Sequence, residues 1–343
     1  MKRFSILILT LCLCPTGCGK QTTEATAQIF AMDTVMEVAA YCSKAEEAVQ
    51  ETKGRIKALE NQLSRTKADS DVSRVNHNGT TPTTGLTYGM RALLPAALEY
   101  RDATNGAFDI TIAPIMDAWG FTGDQFRVPE QSELNELLKH VNSDEIQVQE
   151  EPSYSVTLGE GQAIDLGGIA KGYTSDLVEQ TFRANGIESG KISLGGNVFV
   201  LGGKPDGSDW RGGSYLCVLA LTDVTLSTSG GYERYFEENG KTYHHIIDPS
   251  TGYPADSGLL SVTVVAADNG PDWAGAGNGA MCDAFSTALF VMGEEQALDF
   301  WRNGGYDFDL VLVTEDGRVV ITAGLADRFE EVKDSGYTYE TVS

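Results

Sequence analysis

Segments with a helical pattern and segments with a strand pattern follow one another in this chain without regular alternation. Apolar residues recur at three- and four-residue spacing in residues 44–63, 88–100, 134–141, 169–182 and 280–300, which predicts helices. Runs rich in β-branched and aromatic residues predict strands at 35–41, 155–158, 191–201, 215–226, 260–265, 308–314 and 319–322. This order differs from a βαβ repeat, so the sequence predicts an α+β fold with mixed or antiparallel sheets and packed helices.

Residues 1–18 have the layout of a secretory signal peptide. Two positive charges precede an apolar stretch at 4–14, and small residues at 15–17 then lead to Cys18. This junction is typical of a bacterial lipobox, which predicts a lipid on Cys18 and an extracytoplasmic protein anchored to the bacterial cell membrane. The alternative is an ordinary cleaved signal with an incidental cysteine. Residues 19–28 are polar without periodicity and are expected to form a tether, with the folded body at 29–343.

The formal net charge of -24 restricts the partners of the chain. An acidic surface repels nucleic acid, so we expect no nucleic-acid partner. An anionic ligand would need locally placed donors or a cation. Three cysteines, Cys42, Cys217 and Cys282, lie in the expected body. Buried small side chains are the simpler interpretation of these three, and one disulfide after export is the alternative.

A glycine turn opens one of the predicted helices. In AIDLGGIAKGYTSD (163–176), a strand-like start carries Asp165 into Gly167 and Gly168, and the following helix bears Lys171. Backbone N–H groups at a helix N-terminus attract an anion, and a lysine adds positive charge. The spacing matches neither a Walker A loop nor a GxGxxG motif. Taken alone, the segment is equally well explained as a helix cap with a solvated lysine.

Three further segments also have structural interpretations. Alternating apolar residues around Asp109 in GAFDITIAPIMDAWGF (106–121) predict a strand and a turn, with Trp119 in the core. Glycine pairs occur in ISLGGNVFVLGGKPDG (192–207) and in TLSTSGGYERYF (225–236). They allow either close approach of the backbone to a ligand or two hairpin turns.

The remaining candidates are a histidine pair and a carboxylate–hydroxyl pair. YHHIIDPSTGYP (243–254) places two imidazoles beside a turn that contains an acid. In CDAFSTALFVMG (282–293), Asp283 and Thr287 are four residues apart and share one face of a helix. Their oxygens suit a hard cation such as Mg²⁺. The same pair is common on ordinary helices, where Asp caps and Thr bonds to the backbone.

Six segments in this order resemble the motifs of the ApbE family of FAD:protein FMN transferases: FDITIAPIMDAWGF, IDLGGIAKGYTSD, SLGGNVFVLGGKPDG, TSGGYERYF, YHHIIDPSTGYP and CDAFSTALFVMG. The resemblance extends from AMDTVMEV at Ala31 to ITAGLADRF at Phe329. It implies an α+β fold related to the tunnelling fold (T-fold). It also implies an enzyme that transfers FMN from FAD to a Ser or Thr hydroxyl of an exported or membrane redox protein and releases AMP.

The resemblance implies roles for single residues as well. Mg²⁺ would be held by Asp283, Thr287 and the backbone carbonyl of Gly168. The general base would be His245, with Asp248 expected to orient its imidazole and His244 expected to be structural. The flavin nucleotide would contact Met32, Thr66, Ala107, Phe108, Asp109, Asp165 and Lys171. Thr66 stands where many members carry an aromatic or amide side chain, and it offers little area for stacking.

Two other functions are compatible with many of the same residues. A Mg²⁺-dependent FAD pyrophosphatase would use water as the acceptor and yield FMN and AMP. A non-enzymatic flavin-binding lipoprotein would store or deliver flavin. The presence of His245, Asp283 and Thr287 favours an enzyme over the storage protein.

Overall fold

The computed structural model describes residues 23–123, 125–213, 216–268, 270 and 275–343, so the predicted signal peptide and Cys18 lie outside it. The helices are α1 (Ala45–Leu63), α2 (Asp71–Asn78), α3 (Tyr88–Ala103), α4 (Ala113–Trp119), α5 (Gln131–Leu137), α6 (Ala170–Ala184) and α7 (Asn278–Asn303). Short 3₁₀ turns occur at Ile110–Ile112, Leu138–His140, Ser143–Glu145 and Ala323–Arg328. None of the described helices is long and apolar enough to cross a membrane.

The strands, numbered in chain order, form one large sheet and three small ones. They are β1 (Glu24–Ala31), β2 (Thr34–Tyr41), β3 (Thr83–Thr84), β4 (Gln147–Gln149), β5 (Ser155–Thr157), β6 (Gly190–Leu194), β7 (Asn197–Leu201), β8 (Trp210–Gly213), β9 (Cys217–Leu221), β10 (Val224–Gly230), β11 (Tyr235–Glu238), β12 (Lys241–His244), β13 (Leu259–Ala267), β14 (Asp309–Thr314), β15 (Arg318–Thr322), β16 (Phe329–Glu331) and β17 (Thr338–Val342).

The large sheet has nine strands in the order β1-β2-β6-β7-β10-β13-β14-β15-β17. Neighbouring strands are antiparallel except β15 and β17, which are parallel. Helices α1, α6 and α7 pack against this sheet, and their apolar side chains form two buried clusters with it. A third cluster includes side chains from β8 and β9 of a three-stranded sheet. The architecture is the predicted α+β fold with mixed sheets, and its relation to the tunnelling fold stays a prediction.

The helix predictions are confirmed with small shifts at the ends, the largest at 134–141, where α5 starts earlier and ends in a 3₁₀ turn. Two strand predictions spanned a turn. The segment 191–201 is a hairpin of β6 and β7, because Gly195 and Gly196 adopt φ values of +48° and +88°. The segment 215–226 contains β9 and the start of β10, separated by a turn in which Asp223 has a φ of +50°.

The expected tether is wrong in its second half. Residues 24–28 belong to β1, which pairs with β2 along its whole length at the edge of the large sheet. The buried residues Ala25, Ile29 and Ala31 alternate with more exposed ones, which is the two-residue period of a half-buried strand. The folded body therefore begins at least five residues earlier than residue 29.

The strand expected in 106–121 is also wrong. Asp109 caps a 3₁₀ turn by accepting a hydrogen bond from the N–H of Thr111, and Pro114 lies in the first turn of α4. A side-chain cap followed by an early proline favours a helix start over a strand. Trp119 is fully buried, as predicted, and its indole N–H donates to the carbonyl of Gly252 at 2.7 Å.

The three cysteines of the body form no disulfide in the described part of the chain. Cys282 is fully buried on α7, in agreement with the simpler interpretation for that residue, whereas Cys42 and Cys217 are partly exposed.

Candidate functional site

A cavity of about 710 Å³ opens at one end of the large sheet. Its volume lies within the range of roughly 300–1,000 Å³ that is usual for small-molecule and cofactor sites. All eleven residues predicted for the site line it: Met32, Thr66, Ala107, Phe108, Asp109, Asp165, Gly168, Lys171, His245, Asp283 and Thr287. Segments far apart in sequence thus meet at one place, while the individual roles of these residues stay predictions.

Helices α6 and α7 are in close contact beside the cavity, and both contribute lining residues to it. A Cβ atom added to Gly172 would lie 2.0 Å from the carbonyl oxygen of Gly279, and one added to Gly279 would lie 2.4 Å from the carbonyl oxygen of Gly172. The two glycines therefore allow the helix backbones to touch. This contact brings Asp283 of α7 to the first turn of α6, where its Oδ2 accepts a hydrogen bond of 2.9 Å from the N–H of Gly172.

The side chains of Asp283 and Thr287 and the backbone of Gly168 lie near one another beside this contact. Asp283 is buried, and its Oδ1 accepts from the Asn197 amide at 3.0 Å and from the Ser227 hydroxyl at 3.1 Å. Thr287 lies one turn later on α7, and a Cβ added to Gly168 would lie 3.8 Å from its Oγ1. A carboxylate, a hydroxyl and a nearby backbone carbonyl are the donor types that Mg²⁺ accepts, so these residues fit the metal that the family resemblance implies.

A cation at this place would not be held by a cluster of charged side chains. Among the described residues, no group of three or more His, Cys, Asp or Glu side chains is placed to hold a metal ion. A cation here would have one carboxylate and otherwise neutral oxygen ligands, with water or a bound phosphate completing the shell.

His245 is held in one tautomer by the backbone. Its Nδ1 lies 3.1 Å from the carbonyl oxygen of Arg234, and its own backbone N–H donates to the same oxygen at 3.0 Å. A carbonyl oxygen only accepts, so Nδ1 carries the proton and Nε2 keeps a free lone pair. Burial lowers the pKa of His245 to about 4, and the positive charge of Lys171 acts in the same direction. His245 is therefore a neutral imidazole near pH 7.

Asp248 does not orient His245, so that expectation is wrong. Its Oδ1 accepts from the backbone N–H and the hydroxyl of Ser250 at 2.8 and 2.7 Å, which closes a tight turn. His244 has the structural role that was expected. Its Nε2 donates to the carbonyl of Ala255 at 3.1 Å, and its ring packs edge-on against Phe290.

Lys171 supplies positive charge at the start of α6. Its ammonium group lies 3.5 Å from the carbonyl oxygen of Gly195, at the tip of the β6–β7 hairpin. The glycine turn before α6 and this hairpin both line the cavity. The hairpin interpretation of Gly195 and Gly196 is confirmed, and the close approach of their backbone to a ligand stays a prediction. The helix start and the lysine are placed to attract an anionic group.

Arg65 is a cavity residue that the sequence analysis did not select. It follows α1, and its guanidinium donates to Asp165 at 3.2 Å, to Asp117 at 2.7 Å and to Thr122 at 3.0 Å. Asp165 also accepts from the N–H of Gly167 at 2.7 Å through its other oxygen. Arg65 thereby connects the end of α1 to α4 and to the segment before α6. It also fixes the orientation of the Asp165 carboxylate.

The carboxylate of Asp109 is already engaged by structural partners. Its Oδ1 accepts from the N–H and hydroxyl of Thr111 and from the hydroxyl of Ser143, and its Oδ2 accepts from the N–H of Ser143. A contact of Asp109 with a nucleotide would therefore use its backbone unless these bonds break.

Met32 occupies the tip of the β1–β2 hairpin. Met32 and Asp33 both have positive φ, +49° and +58°, which is uncommon for residues other than glycine. The N–H of Met32 donates to Glu60 on α1 at 2.9 Å, and its sulfur lies 3.6 Å from the hydroxyl of Thr174 on α6. Tertiary contacts thus hold an unfavourable turn at the edge of the cavity, as is frequent at functional sites.

Other lining residues were also missed, and local patterns carry little signal for them. Glu233 and Arg234 lie in the TSGGYERYF motif, which had pointed to close backbone approach without naming them. Glu60, Lys67 and Thr122 reach the cavity only through the packing of α1 and α4. No spacing in the sequence predicts that packing.

Comparison with known proteins shows which proteins this chain is similar to. A model described as the ApbE family matches residues 32–310. The FAD:protein FMN transferase of Klebsiella pneumoniae (strain 342) is 32% identical over 294 residues, covering 82% of this chain and 86% of that protein. The protein of the same name from Treponema pallidum (strain Nichols) is 28% identical and covers 97% of both chains. The crystal structure of the ApbE protein from Thermotoga maritima superposes with a TM-score of 0.77 at 30% identity, covering 91% of this chain and 97% of that one.

Proposed function

The chain belongs to the ApbE family, and we propose that it transfers FMN from FAD to the hydroxyl group of a Ser or Thr side chain on an exported or membrane redox protein, with release of AMP. The observation that carries this proposal is the position of His245. His245, whose Nε2 is unprotonated, lines the same cavity as Asp283 and Thr287. A base and a cation site in one cavity are what hydroxyl attack on a pyrophosphate requires.

The proposed reaction balances with one proton transfer. The acceptor oxygen bonds to the phosphorus of the FMN half, and the bond from that phosphorus to the bridging oxygen breaks. AMP leaves with the bridging oxygen. The hydroxyl proton passes to Nε2 of His245, which is neutral near pH 7 because burial lowers its pKa.

The negative charge of the FAD pyrophosphate is the main obstacle to its binding and to attack on it, because the protein itself has a net charge of -24. We propose that Mg²⁺ is held by Asp283, Thr287 and the carbonyl of Gly168. When bound, it would neutralise the charge that develops on the phosphate oxygens. Lys171 and the N-terminal amides of α6 would add to this from the protein itself.

The second candidate is FAD hydrolysis with water as the acceptor, because every group named above serves either reaction. Transfer is favoured by the relatives named FAD:protein FMN transferase.

We also propose that a lipid on Cys18 anchors the protein outside the cytoplasm, since residues 1–18 have the pattern of a lipoprotein signal.

The test combines the full chain with FAD, Mg²⁺ and a candidate flavin-acceptor domain, followed by mass spectrometry of protein and nucleotide. An acceptor that gains one FMN while AMP appears supports transfer. AMP with free FMN and an unmodified acceptor supports hydrolysis. Intact FAD after long incubation contradicts both.

A further inference from the structure

Two serines on β10 face the two candidate cation ligands on α7. Ser227 and Ser229 are two strand residues apart, about 6.8 Å, while Asp283 and Thr287 are four helix residues apart, about 6.0 Å. The spacings match closely enough for two parallel contacts. The hydroxyl of Ser227 donates to Asp283 Oδ1 at 3.1 Å, and Ser229 Oγ lies 3.2 Å from Thr287 Oγ1.

The direction of each hydroxyl bond follows from a neighbouring group that can only accept. Ser286 Oγ lies 2.9 Å from the backbone carbonyl of Asp283, so its single proton goes there. Ser286 must then accept from Ser229, whose Oγ lies 2.8 Å away. Because Ser229 donates its only proton to Ser286, Thr287 must be the donor in the contact between Ser229 and Thr287.

A competing contact does not change this order. Ser286 Oγ also lies 3.3 Å from Ser227 Oγ, but that distance is longer than the one to the carbonyl. The proton of Ser227 is taken by the carboxylate of Asp283. Ser227 and Ser286 are both fully buried, so water does not offer them other partners.

We propose that Ser229 and Ser286 are positioning residues for the cation site. The chain of donors from Thr287 through Ser229 and Ser286 to the Asp283 carbonyl draws the Thr287 proton towards β10. The lone pairs of Thr287 Oγ1 are then available to a divalent cation. This inference rests on the proposed function, because it assumes that a cation binds at Asp283 and Thr287.

Removing Ser229 has a specific consequence for Thr287. Without that acceptor, the threonine hydroxyl can bond to the carbonyl four residues earlier on its own helix, as threonines in helices commonly do. The lone pairs of Thr287 Oγ1 would then no longer be oriented by β10, and binding of the cation would have to turn the hydroxyl. Changes in groups that orient metal ligands typically weaken metal affinity by about 10–100-fold, and we expect Ser229→Ala and Ser286→Ala to fall in that range.

The experiment measures binding instead of turnover. In the full chain carrying His245→Ala, flavin fluorescence anisotropy reports FAD binding while Mg²⁺ is titrated, and the half-saturating Mg²⁺ concentration is compared among variants. Ser229→Thr keeps the hydroxyl and is expected to restore most of the Mg²⁺ affinity. Thr263→Val is the matched control, since its hydroxyl bonds to Thr228 on the sheet at 2.8 Å and, within the described part of the chain, makes no hydrogen bond to α7.

The outcomes separate this inference from the proposed function. A higher half-saturating Mg²⁺ concentration in Ser229→Ala supports positioning, provided that the values for Ser229→Thr and Thr263→Val stay near that of the parent protein. Half-saturating Mg²⁺ concentrations within twofold of the parent value in both Ser229→Ala and Ser286→Ala overturn the inference, provided that Asp283→Ala still abolishes the Mg²⁺ dependence of FAD binding. If Asp283→Ala has no effect either, the cation site itself is wrong. Thermal unfolding of each variant identifies any that fail to fold, and the comparison of Ser229→Thr with Ser229→Ala then decides.

Discussion

Asp176 on α6 and Asp283 on α7 each cap the start of the helix that carries the other. Asp176 accepts from the N–H groups of Gly277, Gly279 and Ala280 at 2.9, 2.7 and 3.1 Å, and Asp283 accepts from the N–H of Gly172 at 2.9 Å. Both carboxylates are buried. The helix contact that stabilises the fold therefore also fixes the carboxylate proposed to bind the cation.

Asp176→Asn is expected to destabilise the protein. The amide nitrogen of Asn cannot accept a hydrogen bond, so at least one N–H at the start of α7 is left without a partner in the core. The free energy of unfolding should fall by about 2 kcal/mol, as is usual for a buried unsatisfied group. Urea unfolding measures this. Asp299→Asn, an exposed acid on the same helix, serves as the control and should change stability by less than about 0.5 kcal/mol.

Gly172→Ala is expected to be among the most damaging single changes in the chain. The added methyl group would lie 2.0 Å from the backbone oxygen of Gly279, so α6 and α7 would have to separate. A loss of about 3 kcal/mol or more follows from overpacking between rigid backbones. A variant with the melting temperature of the parent protein would contradict the close helix contact.

Gly54→Ala is the matched glycine replacement, and it is expected to raise the stability of the protein instead of lowering it. Gly54 is in the middle of α1, and nothing lies within 4 Å of an added Cβ. Alanine has a higher helix propensity than glycine by about 0.8–1.0 kcal/mol, so the melting temperature should rise. Thermal unfolding of both glycine variants under the same conditions checks the pair.

The sequence predicted those parts of the site that depend on local spacing. The glycine turn before Lys171 and the shared helix face of Asp283 and Thr287 are properties of one segment each, so their patterns were informative. The carbonyl of Arg234 that orients His245 had no such signal, because the backbone contact depends on how two strands and a turn pair. The same holds for Arg65, whose partners Asp117 and Asp165 are 52 and 100 residues away.

The error over residues 24–28 has a different origin. The alternation of small or apolar residues with polar ones in EATAQIFA was present in the sequence, but Ala25 and Ala27 are weak hydrophobic markers. β1 becomes a strand because β2 pairs with its backbone and α1 covers its buried face. Tertiary context thus decided where local propensity was nearly neutral.

Asp283→Ala is expected to abolish Mg²⁺-dependent release of AMP from FAD. The change removes the only carboxylate of the proposed cation site and leaves the N–H of Gly172 without its partner. Asp283→Asn separates the two effects, since its amide oxygen can still accept from Gly172 while the negative charge is gone. AMP release should be low in both variants, and also in the parent protein after EDTA. An undiminished rate in Asp283→Ala would refute the metal assignment.

The pH dependence of kcat/KM tests His245 as the base. Its pKa in the folded protein is about 4, below the ordinary value near 6.5, because burial and Lys171 disfavour the protonated ring. The free base is therefore the dominant form down to about pH 5. An ordinary histidine would lose about tenfold of its free base between pH 7.5 and 5.5, whereas here kcat/KM should stay nearly flat over that range.

His245→Ala should reduce transfer by about 10²–10⁴-fold at pH 7 with FAD binding retained, as expected for loss of a general base. The rate that remains should have no acidic limb assignable to this residue. The AMP assay at constant ionic strength gives both profiles, with circular dichroism to confirm that the protein stays folded at the lowest pH. An acidic limb near pH 6.5 in the parent protein that disappears in His245→Ala would show that the cavity leaves the pKa of this imidazole unshifted. The same limb in both proteins would assign it to another group.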